Sequence, residues 1–256
     1  MFQATSAGGP VVLPPLALFI DFDGPLVELA DKPDAIVVPP DLIEDIQHAA
    51  ERLDGAVAVI TGRALEDLDK YLPSSIPAAG GHGVERRRAD GSQIGAPPDR
   101  KEAAQILAKR LQEFAADTPG LLVEPKTASV ALHYRLAPDQ RERCIDAMTR
   151  AVADMEGFVI LEGKMVVEAR LADANKAAAI RAFMQEPPFR GRIPVFFGDD
   201  TTDEEGFAAV RELGGVGVKV GDGETEAQVR AQDIRTARAI MQRLVAADAM
   251  PKEPAS

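Results

Sequence analysis

Two aspartates, Asp21 and Asp23, are well placed for chemistry because they stand two positions apart directly after the apolar run Leu16–Ile20. A continuously apolar run of this length is typical of a strand buried on both faces of a parallel sheet. Carboxylates at one strand end suit Mg²⁺, which prefers a few hard oxygen ligands, and a carboxylate can also attack phosphorus. A solvated turn would have the same short sequence, because acidic motifs of this length also match by chance.

A second acidic run, from residue 198 to 204, also follows an apolar strand and opens a helix. Acidic residues such as Asp203 and Glu204 are favourable at any helix N-terminus, with or without a functional role. Asp199 and Asp200 at the strand end are harder to explain in that way, because adjacent carboxylates repel each other unless a cation lies among them.

Two further features could bind an anion. In the run Thr61-Gly62-Arg63, a hydroxyl and backbone N–H groups stand after a second apolar strand and before a helix. An ordinary helix N-cap with a glycine turn would have the same sequence. Lys176 begins another helix, where a cation opposes the helix dipole unless it has an anionic partner. An exposed surface lysine is the simpler interpretation of Lys176 alone.

These residues need a scaffold that brings strand ends together. Strands alternate with helices at both ends of the chain, with short connections, which indicates a doubly wound parallel sheet. Such sheets bind ligands beyond the carboxyl ends of their strands. The predicted strands are 16–20, 56–60, 193–198 and 215–220; the predicted helices are 41–54, 64–72, 175–185 and 202–213, with further helices from about Glu224 and Thr236 and a frayed tail from Ala249.

The middle of the chain has a different pattern. Alternating apolar and polar residues predict strands at 121–124, 129–135, 158–162 and 165–169, and longer periodic segments predict helices at 100–116 and 138–154. We therefore expect an α/β fold: a doubly wound, Rossmann-like core from residues 1–97 and 170–256, and an inserted smaller α+β cap domain from residues 98–169.

The acid pair, hydroxyl, lysine and second acid pair occur in an order that resembles the haloacid dehalogenase-like superfamily of phosphohydrolases. The resemblance implies that Asp21 is the nucleophile. It implies that Asp23 is the general acid and base, which must carry a proton for the first step. Thr61 and Lys176 would hold the phosphoryl oxygens.

The same resemblance implies a bound Mg²⁺ that neutralises repulsion between an anionic nucleophile and an anionic phosphate. Asp199 would be a direct ligand together with Asp21 and the backbone carbonyl of Asp23. Asp200 and Asp203 would belong to the metal shell or orient the lysine.

The inserted unit lies between Thr61 and Lys176, where the superfamily places one type of mobile, substrate-selecting cap. Its pattern is similar to that of the trehalose-6-phosphate phosphatases, over almost the whole chain from about Leu16 to Val245. The distinguishing segments are Gly81-His82-Gly83-Val84-Glu85, Glu124-Pro125-Lys126, Leu132-His133-Tyr134-Arg135, the hairpin from Glu162-Gly163-Lys164 to Glu168, and residues 198–204.

The narrower resemblance implies contacts between cap residues and sugar hydroxyls, which both donate and accept hydrogen bonds. The polar face of an exposed sheet would have similar residues. His82 would shape the junction between core and cap, or be a hydrogen-bonded turn histidine. The implied substrate-binding set is Gly62, Arg63, Glu124, Lys126, His133, Arg135, Lys164 and Glu168.

Two residues depart from the family pattern. Pro25 stands where threonine is usual, and it lacks the hydroxyl and the N–H donor, so we expect weaker support for the catalytic loop. Ala177 stands where glycine is usual, and alanine is the better helix former, so we expect little effect.

Composition limits the partners. The net charge of −12 argues against nucleic acid and anionic membrane. It does not exclude a sugar phosphate, because one metal ion and a few lysines reverse the potential within a cleft. The single cysteine, Cys144, suits a reducing cytoplasm, and the run from Val11 to Ile20 suits a strand and not a signal peptide or membrane span. We expect a monomer or weak homodimer.

Three functions are consistent with these residues. The first is magnesium-dependent hydrolysis of trehalose 6-phosphate. The second keeps the chemistry and changes the sugar, as in a sucrose phosphate or mannosyl-phosphoglycerate phosphatase. The third is a catalytically weak sugar-phosphate-binding protein, which the proline at position 25 suggests.

Overall fold

The computed structural model of the chain describes residues 15–28 and 36–248. Within these ranges the strands are β1 (Leu16–Ile20), β2 (Val57–Ile60), β3 (Ala78–Gly80), β4 (Glu85–Arg87), β5 (Gln93–Ile94), β6 (Leu122–Pro125), β7 (Ser129–His133), β8 (Phe158–Gly163), β9 (Val166–Leu171), β10 (Ile193–Gly198), β11 (Val216–Val220) and β12 (Val229–Ala231). The helices are α1 (Pro40–Arg52), α2 (Leu65–Leu68), α3 (Pro98–Ala115), α4 (Arg141–Val152), α5 (Lys176–Met184), α6 (Glu204–Glu212) and α7 (Ile234–Asp248).

The larger sheet has eight strands in the order β12-β11-β10-β1-β2-β3-β4-β5. All neighbours from β12 to β3 are parallel, and β4 and β5 extend the edge antiparallel. The chain leaves β1 towards β2 on one side and returns on the other side as β10, so the strand order reverses at the β1–β10 pair. This switch point is where open α/β sheets bind ligands.

The register of β1 and β10 brings the two acidic motifs to the same edge. Ile20 lies opposite Phe197, and the N–H of Asp21 donates to the carbonyl of Phe197 at 2.8 Å. Around β1, the rings of Phe19, Phe183 and Phe189 pack together with centroid distances of 5.0–6.1 Å. Burial of these rings fixes the central strand and hence the position of the residues that follow it.

The smaller sheet, called the cap sheet, is antiparallel with the order β6-β7-β9-β8. Helices α3 and α4 cover one of its faces, where Val130 and Leu132 are buried with Val167 and Ala169. Because side chains alternate along a strand, the residues between them, such as Glu168, point to the opposite face. That face is directed towards the switch point of the larger sheet, because Glu168 lines the same cavity as Asp21 and Lys176.

The fold confirms the predicted class, a mixed α/β chain with a doubly wound, largely parallel sheet and a smaller α+β unit. The division into domains at residues 97/98 and 169/170 remains a proposal. The helix predicted from about Glu224 is wrong: the chain forms the edge strand β12 there, paired with β11. Strands β3 to β5 were not predicted, because runs of two or three residues carry no clear period.

Residues 11–14 of the predicted first strand and the tail from Ala249 lie outside the described ranges. In the part of the chain that the structure describes, every helix is too short or too polar to cross a bilayer.

Candidate active site

The carboxylate of Asp21 lies at the base of a cleft, directly after β1, with 5% of the residue exposed. Its Oδ1 accepts a hydrogen bond from the N–H of Phe22 at 2.8 Å. Its Oδ2 lies 2.9 Å from Nζ of Lys176. One oxygen is therefore held by the backbone and the other by a cation, so the side chain has a fixed direction.

Lys176 is the first residue of α5, and the side chain of Asn175 caps that helix by accepting from the N–H of Ala178 at 2.7 Å. The side chain of Lys176 is 2% exposed, and its Nζ also lies 2.6 Å from Oδ1 of Asp203. Burial alone would lower the pKa of Lys176, but the carboxylates of Asp203 and Asp21 raise it above its ordinary value. The exposed-lysine interpretation is therefore wrong, because this cation is buried between two anions.

Asp203 organises the acidic loop of residues 198–204. It is fully buried, and its Oδ2 accepts from the backbone N–H groups of Asp199 at 2.9 Å and Asp200 at 3.0 Å. Its Oδ1 faces Lys176. One carboxylate thus shapes the loop and contacts the lysine. Its role in orienting the lysine or in the metal shell stays a prediction. Asp200 is exposed and caps the short turn Thr201–Asp203 by accepting from the N–H of Thr201 at 2.7 Å.

Three carboxylates meet at this point. Asp21, Asp199 and Asp203 each offer an oxygen, and these oxygens lie within 4.8 Å of one another. Burial raises the pKa of Asp199 to about 7, with a further contribution from the charge of Asp203. Burial also raises the pKa of Asp21 well above its ordinary value, although Lys176 opposes the effect. These groups fit a divalent cation, which would compensate both the burial and the mutual repulsion.

Gly24 allows the two acidic motifs to approach. A Cβ atom at this position would lie 2.1 Å from the carboxylate of Asp199, and the φ of 99° disfavours any other residue. The glycine after the first acid pair is therefore required by the position of the second pair.

Asp23 is held by Arg63. The guanidinium binds the carboxylate through Nε–Oδ2 at 2.7 Å and Nη2–Oδ1 at 2.8 Å, and its Nη1 lies 2.8 Å from Oδ2 of Asp67. The rings of Phe22 and Tyr71 each lie 5.6 Å from the guanidinium carbon. Arg63, predicted to bind substrate, is absent from the cavity lining given below and contacts Asp23 instead. We therefore expect it to act through Asp23.

Thr61 and Gly62 follow β2. Thr61 is 1% exposed, and its Oγ1 accepts from the N–H of Arg63 at 3.1 Å. The helix predicted over 64–72 is shorter than expected, because α2 has four residues and begins at Leu65 after Ala64. Thr61 and Gly62 therefore lie in the connection before that helix and not at its N-terminus. Anion binding by these two residues stays a prediction.

The cap sheet supplies the opposite wall of the cleft. Nζ of Lys126 lies 2.9 Å from Oε2 of Glu168, and Oγ of Ser129 donates to Oε1 of the same carboxylate at 2.7 Å. Burial would raise the pKa of Glu168, but the charge of Lys126 and the hydrogen bond from Ser129 hold it well below its ordinary value. Lys126 and Glu168 thus form a buried ion pair across the cavity from Asp21 and Lys176.

Between these walls is a cavity of about 420 Å³. Most of the predicted core residues, but not Thr61, Arg63 or Asp203, and three predicted cap residues line it. It is lined by Asp21, Asp23, Gly62, His82, Lys126, Leu161, Glu162, Gly163, Lys164, Val166, Glu168, Lys176, Asp199, Asp200, Thr201, Thr202, Val220, Gly221 and Asp222.

Besides Arg63, three more of the predicted substrate residues are not in this lining. Oε2 of Glu124 lies 2.7 Å from Nε2 of His133, in a pair on the cap sheet. Burial would raise the pKa of Glu124, but its bond to His133 and the charge of Lys126 lower it. Arg135 is exposed beyond the end of β7. The structure does not bring these three side chains to the cavity, so contacts with the substrate remain a prediction for them.

Sequence reasoning missed two residues that support the site. Nζ of Lys219 donates to the carbonyl of Asp199 at 2.6 Å, and the side chain is buried. The sequence indication for Lys219 was a lysine inside the otherwise apolar strand β11. Oε1 of Glu85 accepts from the N–H of Leu65 at 2.8 Å and from Oγ1 of Thr127 at 3.1 Å. Glu85 was noted only as part of a family segment, and nothing in its neighbours indicated this double contact.

The sequence of the chain is similar to known proteins over most of its length. Residues 19–237 match the family described as trehalose-phosphatase. A probable trehalose-phosphate phosphatase of Sinorhizobium fredii is 43% identical over 210 residues, which cover 80% of this chain and 77% of that protein. The trehalose-6-phosphate phosphatase of Escherichia coli K12 is 42% identical over 216 residues, which cover 84% and 80% of the two chains.

The fold is also similar to that of a solved structure. The crystal structure of a trehalose-6-phosphate phosphatase related protein aligns with a TM-score of 0.74 at 28% identity. The alignment covers 91% of this chain and 97% of the other. The similarity therefore includes both the large sheet and the cap sheet.

Proposed function

This chain belongs to the trehalose-phosphatase family, and on that premise we propose that it hydrolyses trehalose 6-phosphate to trehalose and phosphate. The observation that carries the proposal is the position of Lys176, which lies 2.9 Å from Asp21 and 2.6 Å from Asp203 on the floor of the cavity. A buried cation beside a buried carboxylate is the arrangement that a phosphoryl group and its nucleophile need.

In the first step, an oxygen of Asp21 forms a bond to phosphorus, and the bond between phosphorus and the sugar oxygen breaks. Asp23 gives its proton to that oxygen, so trehalose leaves as a neutral alcohol. The phosphoryl group remains on Asp21 as an acyl phosphate. Lys176 stabilises negative charge on the phosphoryl oxygens, and Thr61 is proposed to hold the same group.

In the second step, the carboxylate of Asp23 takes a proton from water, and the water oxygen forms a bond to phosphorus. The bond between phosphorus and Asp21 breaks, which releases phosphate and restores both aspartates. Arg63 positions Asp23 for this second transfer, because its two hydrogen bonds fix the plane of the carboxylate and favour the ionised form that takes the proton.

Mg²⁺ is the proposed cofactor. Asp21 and Asp199 are the proposed ligands, since Oδ1 of Asp203 already faces Lys176, and Asp200 lies at the rim of the same cavity. When bound, the ion supplies positive charge that offsets the repulsion between the carboxylates and the phosphate.

The cavity supports a sugar phosphate as the substrate. Its volume of about 420 Å³ falls within the range of small-molecule sites, and its roof presents Lys126, Glu168 and Lys164 to the ligand. Ammonium and carboxylate groups together can donate to and accept from several hydroxyls. Phosphate is held at the floor, so the hydroxyls of the sugar lie towards the cap sheet.

The test is phosphate release from trehalose 6-phosphate, sucrose 6-phosphate, mannosyl-3-phosphoglycerate and glucose 6-phosphate, each with Mg²⁺ and with a chelator. We expect the highest kcat/KM with trehalose 6-phosphate and no turnover with the chelator. A higher kcat/KM for another sugar phosphate would overturn the substrate, and activity that survives chelation would overturn the cofactor.

A further inference from the structure

Lys219 is a charged residue inside a buried strand. It stands in β11 between Val218 and Val220, which are both buried, and 5% of its own side chain is exposed. Strand β11 runs parallel to β10, with Lys219 opposite Gly198, the residue before Asp199. Burial of an ammonium group is costly unless its hydrogen bonds are satisfied. A lysine at this position therefore needs an explanation that packing does not give.

The ammonium group of Lys219 is directed at the backbone of the acidic loop. Its Nζ donates to the carbonyl oxygen of Asp199 at 2.6 Å. A hydrogen bond from a charged donor is stronger than one between neutral groups. Oε1 of Glu204 lies 3.6 Å from the same Nζ, which is too far for a hydrogen bond, so this carboxylate balances the charge without replacing the contact with Asp199.

Lys219 and Asp203 hold the two ends of one peptide plane. The carbonyl of Asp199 and the N–H of Asp200 belong to the same planar unit. Oδ2 of Asp203 accepts from that N–H at 3.0 Å and from the N–H of Asp199 at 2.9 Å, while Lys219 holds the carbonyl. Together the three hydrogen bonds restrict the backbone on both sides of the Cα atom of Asp199, and hence the direction of its side chain.

The carboxylate of Asp199 has little freedom to compensate for a backbone shift. One methylene group separates it from the backbone, so a rotation of the peptide plane moves its oxygens directly. It also packs against Gly24, where a Cβ atom would lie 2.1 Å away. One of its oxygens lies within 4.8 Å of an oxygen of Asp21. Mg²⁺ demands near-ideal coordination geometry, so a shift of this carboxylate would weaken the binding of the ion.

The charge of Lys219 and its hydrogen bond act in opposite directions on a metal ion. A cation close to a metal ligand repels the incoming ion, so the charge alone weakens binding of Mg²⁺. The hydrogen bond keeps the ligand in place, and partners of metal ligands generally strengthen binding in this way. Replacement of the lysine therefore changes the affinity with a sign that depends on which effect is larger.

We propose that Lys219 is a positioning residue for the metal site, which fixes the backbone of Asp199 and thereby directs its carboxylate towards Mg²⁺. The proposal rests on the proposed function, because Asp199 must be a ligand of the ion. Lys219 is absent from the lining of the cavity, so its effect passes through Asp199 and not through contact with the substrate.

The experiment measures the dissociation constant of Mg²⁺ by titration calorimetry at pH 8, without substrate. Lys219→Met keeps the length of the side chain and suits the apolar strand but has no donor, so we expect binding about tenfold weaker than in the wild type. Lys219→Gln keeps an amide donor without the charge, so its loss should be smaller. Lys109→Met, at an exposed position of α3, is the matched control and should bind like the wild type.

Two other roles give different results, and either result would overturn the proposal. If Lys219 only balances charge, its removal leaves the acidic loop more negative, and both variants bind Mg²⁺ more tightly than the wild type. If it only supports the fold, Tm without metal falls and the dissociation constant stays at the wild-type value. Should Lys219→Met show no cooperative unfolding, Lys219→Gln decides by the same criterion: weaker binding supports positioning, and equal or tighter binding contradicts it.

Failure of the proposed cofactor is distinguishable from failure of this inference. If the wild-type chain binds no Mg²⁺, the cofactor and the role of Lys219 are both overturned. If the wild type binds Mg²⁺ and Lys219→Met binds it equally tightly, only the role of Lys219 is overturned. A substrate other than trehalose 6-phosphate changes neither result, because the titration contains no sugar phosphate.

Discussion

Arg63 holds Asp23 through two parallel hydrogen bonds of 2.7 and 2.8 Å. Bidentate pairs of this kind fix the plane and direction of a carboxylate as well as its charge. The third edge of the guanidinium is held by Asp67, so the arginine cannot turn without breaking that contact as well. Asp23 therefore stands in the cavity with an orientation that depends on a residue outside it.

We expect Arg63→Met to lower kcat about 100-fold while KM changes little, because misplacing a proton-transfer group costs rate and not binding. Steady-state kinetics with trehalose 6-phosphate checks both values. Arg52→Met, at an exposed position of α1, is the control and should behave like the wild type. A large rise in KM with kcat unchanged would instead support direct binding of substrate by Arg63.

Asp21→Asn should abolish turnover and leave the chain folded. The amide keeps the size of the side chain and the contact with the backbone, but it is no longer a nucleophile, so a loss of at least about 1,000-fold is expected. Phosphate release measures the loss, and thermal unfolding confirms the fold. Asp146→Asn on the exposed face of α4 serves as the control. Phosphate release at the wild-type rate by the Asp21 variant would refute its role.

Binding of Mg²⁺ should become tighter as the pH rises to about 7. Burial raises the pKa of Asp199 to about 7, and the ion binds only the ionised carboxylate, so apparent affinity should increase about tenfold per pH unit below that value. Titration calorimetry at pH 6 and pH 8 measures the affinity, and the dependence of the heat on the buffer reports proton release. Equal affinities at the two pH values would contradict the assignment of Asp199 as a ligand.

The same shift predicts how stability without metal depends on pH. Asp199 binds its proton more tightly in the folded chain than in the unfolded chain, where its ordinary pKa is 3.8. The folded state therefore carries more protons between pH 4 and 7, so the contribution of this group to stability is lost as the pH rises through that window. Asp21 acts in the same direction. Thermal unfolding should accordingly show a larger increase in Tm from added Mg²⁺ at pH 8 than at pH 6.

Asp203→Ala should destabilise the chain by about 3–5 kcal/mol, because it removes one partner of the buried Lys176 and the acceptor of two loop N–H groups. Asp200→Ala is the matched control on the same loop. Asp200 is exposed and only caps a short turn, so about 1 kcal/mol is expected. Urea unfolding measures both free energies, and similar losses for the two variants would show that the buried contacts of Asp203 contribute little.

Pro25→Thr should change kcat by less than about fivefold, which corresponds to under ~1 kcal/mol. The loop that contains Pro25 is closed by hydrogen bonds from the N–H groups of Gly24, Leu26 and Val27, so the missing donor at position 25 is not required for its shape. Comparison of the two rates at saturating substrate tests this. A gain well above fivefold would mean that the threonine hydroxyl supports the chemistry and would favour a weakly active protein.

The sequence was informative wherever a residue's position depended on its own strand or helix. Asp21, Lys176 and Asp199 were predicted to converge because the ends of parallel strands meet at one edge, and the structure brings them together. The helix predicted near Glu224 failed because pairing with β11, which no local pattern reveals, makes that segment an edge strand.

Pairs of distant side chains were not predictable in the same way. The contact between Arg63 and Asp23 and the packing of His82 on Gly62 depend on rotamers and on a left-handed turn that only the folded chain defines. The separation of Glu124 and His133 from the cavity likewise depends on how the cap sheet is placed over the core.

Glu85 joins the two parts of the molecule through one oxygen atom. The same Oε1 accepts from the backbone of Leu65 in the core and from the hydroxyl of Thr127 beside the cap sheet. Because Glu85 belongs to β4 of the larger sheet, a displacement of Thr127 would leave this oxygen with the backbone bond to Leu65 alone. The position of Thr127 and the start of α2 therefore depend on one shared acceptor atom.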